Sequence, residues 1–100
     1  ERCRRQMEDH FLDYATVEAF AEACHINLSY LCRLYRKFSG VSPYQYLMQL
    51  KMKWAANRLR GGDILVREVA DELGIDQFQF SRAFKRVLGV SPAAFMELRQ

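Results

Sequence analysis

The sequence has few features of exported, membrane-bound or zinc-binding proteins. No apolar run approaches the roughly 18 residues that a membrane-spanning helix needs, so no membrane association is expected. The three cysteines are odd in number and lack C-x-x-C spacing, which argues against a disulfide framework or a zinc site. We therefore expect reduced thiols in a cytoplasmic protein. The N-terminal segment has no apolar stretch of signal-peptide type, and nothing in it directs export.

Groups that would support catalysis are equally scarce. The two histidines, His10 and His25, have no carboxylate or cysteine partners at the spacing of metal ligands. The sequence contains no Ser/His/Asp set, no glycine-rich phosphate loop and no paired carboxylates in a cleft-like context. It therefore predicts a protein that is not an enzyme and that binds no metal ion or other cofactor.

The composition indicates a folded and mildly basic protein. Half of the 100 residues are hydrophobic and 13% are aromatic, which is enough for a packed interior in one domain or in two very small units. The net charge is +3, and the basic residues cluster at 33–37, 51–53, 58–60 and 84–86. A solvated mixed surface explains any one cluster, but two of the four occupy equivalent positions of a repeat.

That internal repeat is the most informative feature of the chain. Residues 17–47 align with residues 66–96 at a constant offset of 49 without gaps, and eight of the 31 pairs are identical. The identical pairs include Arg33/Arg82 and the whole motif GVSP, at 40–43 and 89–92. A duplicated helical unit with a matched arginine is typical of a protein that binds a periodic partner through two copies of the same structural element. DNA is the obvious partner of this kind.

Helical spacing of the apolar residues predicts an all-α fold without strands. Gly40 is expected to end a helix in the left-handed conformation, and Ser42 to cap the next helix, with Pro43 in its first turn. Thr16 is expected to cap an earlier helix. The buried stripe of the helix before Gly40 is expected to contain Leu31, Leu34, Tyr35 and Phe38. Seven helices are predicted, at about 2–14, 17–24, 28–38, 43–60, 66–73 and 77–88, and from the second GVSP to 98.

Each copy of the repeat consists of a short helix, a break of three or four residues and a second helix. Ala21 and Ala70 precede the break residues His25 and Gly74 by four positions and allow a close approach of the two helices. Gly74 can turn without strain, whereas His25 has a Cβ and must accept a less favourable backbone. This is the helix-turn-helix arrangement, in which the second helix lies in the major groove.

The chain resembles the DNA-binding domain of the AraC/XylS family of bacterial transcription regulators over nearly its whole length. The matching stretches are AEACHINLSYLCRLYRKFSGVSPYQYL, KMKWAANRL, VREVADELGI and FSRAFKRVLGVSPAAF. The resemblance implies two homeodomain-like helix-turn-helix subdomains, residues 1–42 and 61–100, joined by a long connecting helix, residues 43–60. The sequence departs from the family pattern at three places. Lys51 stands where arginine is usual, and Arg58 stands where an apolar residue is usual. The stretch GIDQFQFSR is one residue shorter than the common form of the family.

The resemblance also implies a role. The two recognition helices would enter successive major grooves on one face of double-stranded DNA, usually in an activator that also contacts RNA polymerase. The chain starts inside a predicted helix, so we expect it to be part of a longer protein. An effector-binding or dimerisation domain would then precede residue 1.

The residues predicted to face DNA lie on the outer side of the second helix in each copy. Arg33 and Arg82 are the first candidates, because a guanidinium pairs with guanine O6 and N7 together; a phosphate contact or a surface ion pair is the alternative. Phe78 can touch a thymine methyl group or pack partly buried. The predicted base contacts are Ser29, Cys32, Arg33, Gln77, Phe78, Ser81 and Arg82. The predicted phosphate contacts are Arg36, Lys37, Ser42, Lys85, Arg86 and Ser91.

The two reading faces share only their arginine. Ser29 aligns with Phe78, and Cys32 aligns with Ser81. The sequence therefore predicts an asymmetric DNA site of two unlike half-sites, centred about one helical turn or roughly 10 bp apart. The alternative is a helical protein-interaction module that does not bind DNA; steep weakening of DNA binding by salt would exclude it.

Overall fold

The computed structural model describes residues 2–98, and all regular structure within this range is helical. This range contains the seven α-helices that the sequence predicts, and the all-α fold class is confirmed. They are α1 (Arg2–His10), α2 (Val17–Ala23), α3 (Leu28–Ser39), α4 (Pro43–Arg60), α5 (Val66–Leu73), α6 (Gln77–Leu88) and α7 (Pro92–Leu98). None of these helices is long and apolar enough to cross a membrane.

The first helix is shorter than the predicted span of residues 2–14. It ends at His10, and Phe11–Asp13 form a single 3₁₀ turn. Tyr14 then has an extended backbone (φ −114°, ψ 114°), and its ring meets that of Phe20 edge-on with centroids 5.0 Å apart. Residues three apart lie on the same side of both an α-helix and a 3₁₀ helix, so the spacing of Phe11 and Tyr14 does not distinguish them.

Local side-chain caps set the ends of the helices. The Thr16 hydroxyl accepts a hydrogen bond from the Ala19 N–H at 3.0 Å, which confirms Thr16 as the cap of α2. Asn27 and Asp76, at equivalent positions of the repeat, cap α3 and α6 by accepting two backbone N–H groups each. Gly40 ends α3 in the left-handed conformation at φ 81°, as expected.

The chain divides into two compact units, the first ending at Leu50 and the second beginning at Lys51. In the first unit, Phe20, Leu31 and Tyr35 are fully buried, and complete burial of such a side chain stabilises the fold by about 1.5–3 kcal/mol. The Tyr35 hydroxyl donates to the Cys3 carbonyl at 3.2 Å. Burial raises the pKa of Tyr35, so this hydroxyl remains protonated and holds α1 against α3.

Phe38 is not the buried stripe residue that the sequence predicts, because it is 40% exposed. It lies in the last turn of α3, at the margin of the core, where its ring packs against Tyr35 and Tyr46 with centroids 4.7 and 5.7 Å away. The Arg4 guanidinium lies 5.3 Å from the Phe38 centroid. Phe38 therefore covers the edge of the core and carries a cation on its ring.

The second unit has a core of the same kind. Val69, Phe80 and Phe84 are fully buried, and the Phe84 ring meets that of Phe95 edge-on at 5.4 Å. The core is a set of apolar side chains from the second half of α4 and from the helices after it. Its fully buried or nearly fully buried members include Met52, Ala55, Ala56, Leu59, Val69, Ala70, Leu73, Phe80, Ala83 and Phe84.

Arg58, which stands where the family usually has an apolar residue, lies at the surface of this unit. Its Nε and one terminal nitrogen bind the two carboxylate oxygens of Glu72 at 3.0 and 2.7 Å. Its guanidinium also lies 5.7 Å from the centroid of the Trp54 ring. The departure from the family pattern is thus a bidentate ion pair that ties α4 to α5.

Candidate nucleic-acid interface

The two helix-turn-helix turns have the same backbone hydrogen bonds. The N–H groups of His25 and Ile26 donate to carbonyls in the last turn of α2 at 3.1 and 3.0 Å, and those of Gly74 and Ile75 make the equivalent bonds to α5 at 3.0 and 3.1 Å. His25 has φ 57° and Gly74 has φ 73°. The strained backbone that the sequence predicts at His25 is confirmed.

The outer face of α3 carries the predicted reading residues of the first unit. Ser29 and Arg33 are exposed, Cys32 is half-buried, and Leu31 and Tyr35 on the opposite side have no exposed surface. The predicted phosphate contacts Arg36 and Lys37 are exposed in the last turn of α3. The structure thus brings all five predicted side chains of this helix to accessible positions.

Tyr30 is a further residue of this face that the sequence reasoning missed. It is 48% exposed, and the Arg33 guanidinium lies 5.7 Å from the centroid of its ring. Side chains three positions apart on a helix lie next to each other, so a tyrosine three positions before an arginine can place its ring under the guanidinium. This spacing could have predicted the contact from the sequence. The equivalent residue of the second unit is Gln79, which offers no ring to Arg82.

The outer face of α6 is built in the same way but has a different chemical character. Gln77 and Arg82 are exposed and Ser81 is half-buried. Phe78 is 78% exposed in the first turn, so its alternative role as a partly buried packing residue does not hold in this structure. The predicted phosphate contacts Lys85 and Arg86 are exposed in the last turn.

The predicted phosphate contacts at the starts of α4 and α7 are already engaged within the chain. The Ser42 hydroxyl accepts from the Gln45 N–H at 3.2 Å, and the Ser42 N–H donates to the Gln45 side-chain oxygen at 3.0 Å. This reciprocal capping box means that a phosphate at the Ser42 N–H would have to displace Gln45. The Ser91 hydroxyl accepts from the Ala94 N–H at 3.1 Å.

The start of α5 is likewise engaged within the chain. The Glu68 carboxylate accepts a hydrogen bond from the Leu65 N–H at 2.9 Å. Its negative charge at this helix end repels a phosphate. A glutamate three positions after the residue that precedes a helix is one half of the capping-box pattern. The position of Glu68 relative to Leu65 could therefore have predicted this hydrogen bond from the sequence.

One member of the basic clusters is not on the surface. Lys51 is 1% exposed, whereas Lys53, two positions later on α4, is exposed. Desolvation lowers the pKa of Lys51. The cluster at 51–53 therefore contributes less surface charge than its composition suggests, whereas the basic residues predicted on the outer faces of α3 and α6 are all exposed.

The comparisons with known proteins agree with this geometry. A family model described as a helix-turn-helix domain matches residues 20–98. The chain is 35% identical over 95 residues to the transcriptional activator RhaS of Escherichia fergusonii and 29% identical over 92 residues to the MmsAB operon regulatory protein of Pseudomonas aeruginosa. These alignments cover 94% and 91% of this chain but only 33% and 30% of the relatives, so the chain spans about a third of their length.

Two solved structures have the same fold along nearly the whole chain. The C-terminal domain of AraT, a response regulator from Geobacillus stearothermophilus, is 32% identical with a TM-score of 0.87, and the match covers 99% of this chain and 84% of that one. The DNA-binding domain of AdpA, a global transcriptional factor solved in complex with a target DNA, is 26% identical with a TM-score of 0.83, and the match covers 97% and 88%. The chain therefore belongs to the AraC/XylS family of bacterial transcription regulators, as a DNA-binding domain of the helix-turn-helix type.

Proposed function

We propose that this domain reads an asymmetric promoter site by placing α3 and α6 in successive major grooves, as part of a transcription activator. The observation that supports the proposal is the matched placement of Arg33 and Arg82. Each is exposed and each is the sixth residue of its helix. In this proposal residues 1–42 and 61–100 are the two reading subdomains, and residues 43–60 connect them.

The position of each arginine suits a base contact. At a rise of 1.5 Å per residue, the sixth residue lies about 7.5 Å from the start of its helix, in the N-terminal half that enters the major groove. A guanidinium there can pair with guanine O6 and N7. Phosphate contacts at the C-terminal turns, from Arg36 and Lys37 on α3 and from Lys85 and Arg86 on α6, would set the register of each helix.

The two half-sites should differ in sequence. Ser29 and Cys32 on α3 are replaced on α6 by Phe78 and Ser81, so only the arginine is shared. The helix caps differ as well, with the neutral Asn27 amide at α3 and the Asp76 carboxylate at α6. A carboxylate repels phosphate and can accept a hydrogen bond from cytosine N4. We expect two unlike half-sites centred roughly 10 bp apart, without a palindrome.

Selection of binding sites from random duplexes of about 25–30 bp, enough for two half-sites, tests the proposal. The wild-type domain should enrich two unlike half-sites. Arg33→Ala and Arg82→Ala should each relax one half-site at a cost of about 1–3 kcal/mol. Lys37→Ala is the matched control, because loss of a phosphate contact should weaken all sequences alike and lower the salt slope by about 1.

The outcomes separate the alternatives. Equal loss on every sequence for Arg33→Ala and Arg82→Ala would assign both arginines to phosphate. A single enriched half-site would mean that one unit contacts bases and the other binds only the phosphate backbone of the DNA. No enrichment at low salt would leave the protein-interaction module as the function, since binding through several phosphates is strongest when salt is low.

The rest of the role concerns a longer protein. The AraC/XylS relatives named above are about three times as long as this chain, which supports a further effector-binding or dimerisation domain before residue 1. We propose that the regulator acts in the cytoplasm and that it is not an enzyme. We also propose that it activates transcription by contacting RNA polymerase. Transcription in vitro from the selected site, with purified polymerase and this domain alone, tests whether the domain suffices for activation.

A further inference from the structure

Two of the three cysteines meet at a cavity of the first unit. Cys3 lies in the first turn of α1, and Cys24 is the cap residue that ends α2. The two residues line one open cavity of about 440 Å³ together with Arg2, Gln6 and the turn residues His25 and Ile26. They come from different helices and are brought together only by the fold.

The core holds the backbone of each cysteine in place. The Cys3 carbonyl accepts the Tyr35 hydroxyl at 3.2 Å, and the Cys24 N–H donates to the Phe20 carbonyl at 3.0 Å. Tyr35 and Phe20 are fully buried, and Cys3 itself is only 9% exposed. Cys3 belongs to the buried cluster of the first unit and Cys24 packs against the same cluster, so the fold places the two residues side by side.

The two thiols influence one another directly. Burial, followed by the charge and the hydrogen bond of Cys3, raises the pKa of Cys24 to about 11, and the nearby Arg2 acts weakly in the opposite direction. Cys24 therefore keeps its proton near neutral pH and can donate it towards Cys3. In such a pair one sulfur is oxidised first and the other then attacks it.

We propose that Cys3 and Cys24 form an oxidisable thiol pair that a hydroperoxide converts into an intramolecular disulfide. The sulfur of one of the two cysteines attacks the O–O bond of hydrogen peroxide and becomes a sulfenic acid, and the departing hydroxide takes the proton of that thiol to form water. The sulfur of the other cysteine then displaces the sulfenic hydroxyl, the S–S bond forms, and the proton of the second thiol leaves in a second water. The two thiols lose two electrons, and one peroxide becomes two waters.

The disulfide would tie α1 to the turn that positions α3. It would close the chain from residue 3 to residue 24, a span that contains the whole of α2. The next residue, His25, has the left-handed backbone of the turn at φ 57°. A cross-link that closes a loop of this size stabilises mainly by restricting the unfolded chain. We expect oxidation to raise the melting temperature by about 10–20 °C.

The test uses the Cys32→Ser variant, which keeps the pair and removes the third thiol. Treatment with hydrogen peroxide should lower the intact mass by about 2 Da, yield one cross-linked peptide containing Cys3 and Cys24, and raise the melting temperature, all reversed by dithiothreitol. Cys3→Ser and Cys24→Ser, each in the Cys32→Ser background, are the matched controls. Each should instead gain about 16 Da or form a disulfide-linked dimer.

Several results would overturn the proposal. One is a gain of about 16 or 32 Da in Cys32→Ser without the loss of about 2 Da. Others are a disulfide-linked dimer of Cys32→Ser as the main product, or no reaction at peroxide levels that oxidise a free thiol peptide. A wild-type disulfide that includes Cys32 would also exclude this pair. The decisive measurement needs only Cys32→Ser, so a folding defect in the single-cysteine controls does not affect it.

Discussion

Replacement of His25 by glycine should stabilise the first unit, although it removes a side chain. His25 is the only residue other than glycine with a positive φ among residues 2–98, at 57°. The left-handed conformation costs an L-residue with a Cβ roughly 1–2 kcal/mol. Glycine adopts this conformation without steric cost. The second unit already has glycine at the equivalent position, Gly74, in a turn with the same hydrogen bonds.

The expected magnitude follows from two opposing effects. Relief of backbone strain contributes about 1–2 kcal/mol, and the greater freedom of glycine in the unfolded chain takes back about 0.5–1 kcal/mol. The His25 side chain is exposed, so little packing is lost. The net gain in the free energy of unfolding is about 0.5–1 kcal/mol for His25→Gly. Gly74→Ala should cost about the same, because its added Cβ would meet no atom within 4 Å and only strain remains.

Urea denaturation followed by circular dichroism measures both variants, with His25→Asn as the control. Asparagine tolerates the left-handed region better than most residues, so its stability should lie between histidine and glycine. Binding to the selected DNA should stay unchanged in all three variants. If Gly74→Ala destabilises while His25→Gly is neutral or destabilising, the reasoning from backbone strain is wrong for the first turn, and the imidazole must make a stabilising contact.

The remaining predictions concern the reading faces and the ion pair. Tyr30→Ala should relax only the half-site read by Arg33, by about 0.5–1 kcal/mol, whereas Tyr30→Phe, which keeps the ring, should match the wild type in competition binding. Wild-type affinity should fall when thymines of the second half-site are replaced by deoxyuridine, and Phe78→Ala should be insensitive to that change; equal sensitivity would exclude a methyl contact. Glu72→Gln should lower the free energy of unfolding only slightly, since its pair with Arg58 is exposed to solvent. A double-mutant cycle with Arg58→Met should assign the loss to this pair.

Much of the helical fold could be predicted because its signals are local. Thr16 and Gly40 act within one helical turn, so their roles as helix start and helix end follow from neighbouring residues. The strain at His25 followed from its alignment with Gly74. The outward positions of Arg33 and Arg82 followed from helical period and are confirmed as exposed, whereas their contacts with bases stay predictions.

Other predictions were wrong because the spacing of residues along the chain does not determine how deeply each side chain is buried or where a helix ends. The end of α1 was misplaced because an α-helix and a 3₁₀ turn share the spacing of Phe11 and Tyr14. Phe38 was predicted to be buried, yet it lies at the margin of the core. Lys51 was counted with a basic cluster, although its face of α4 is buried. In each case, what decided the outcome was where the rest of the unit packs.

The sequence by itself determined the repeat, the all-α class, the helix caps and the family, because these depend on periodicity and on neighbours within about one turn. Only the tertiary structure decided which residues distant along the chain meet. It paired Arg58 with Glu72 and brought Cys3 to the same cavity as Cys24. Such contacts depend on how packed helices set the distance between side chains, and neither the spacing nor the composition of a single chain contains that distance.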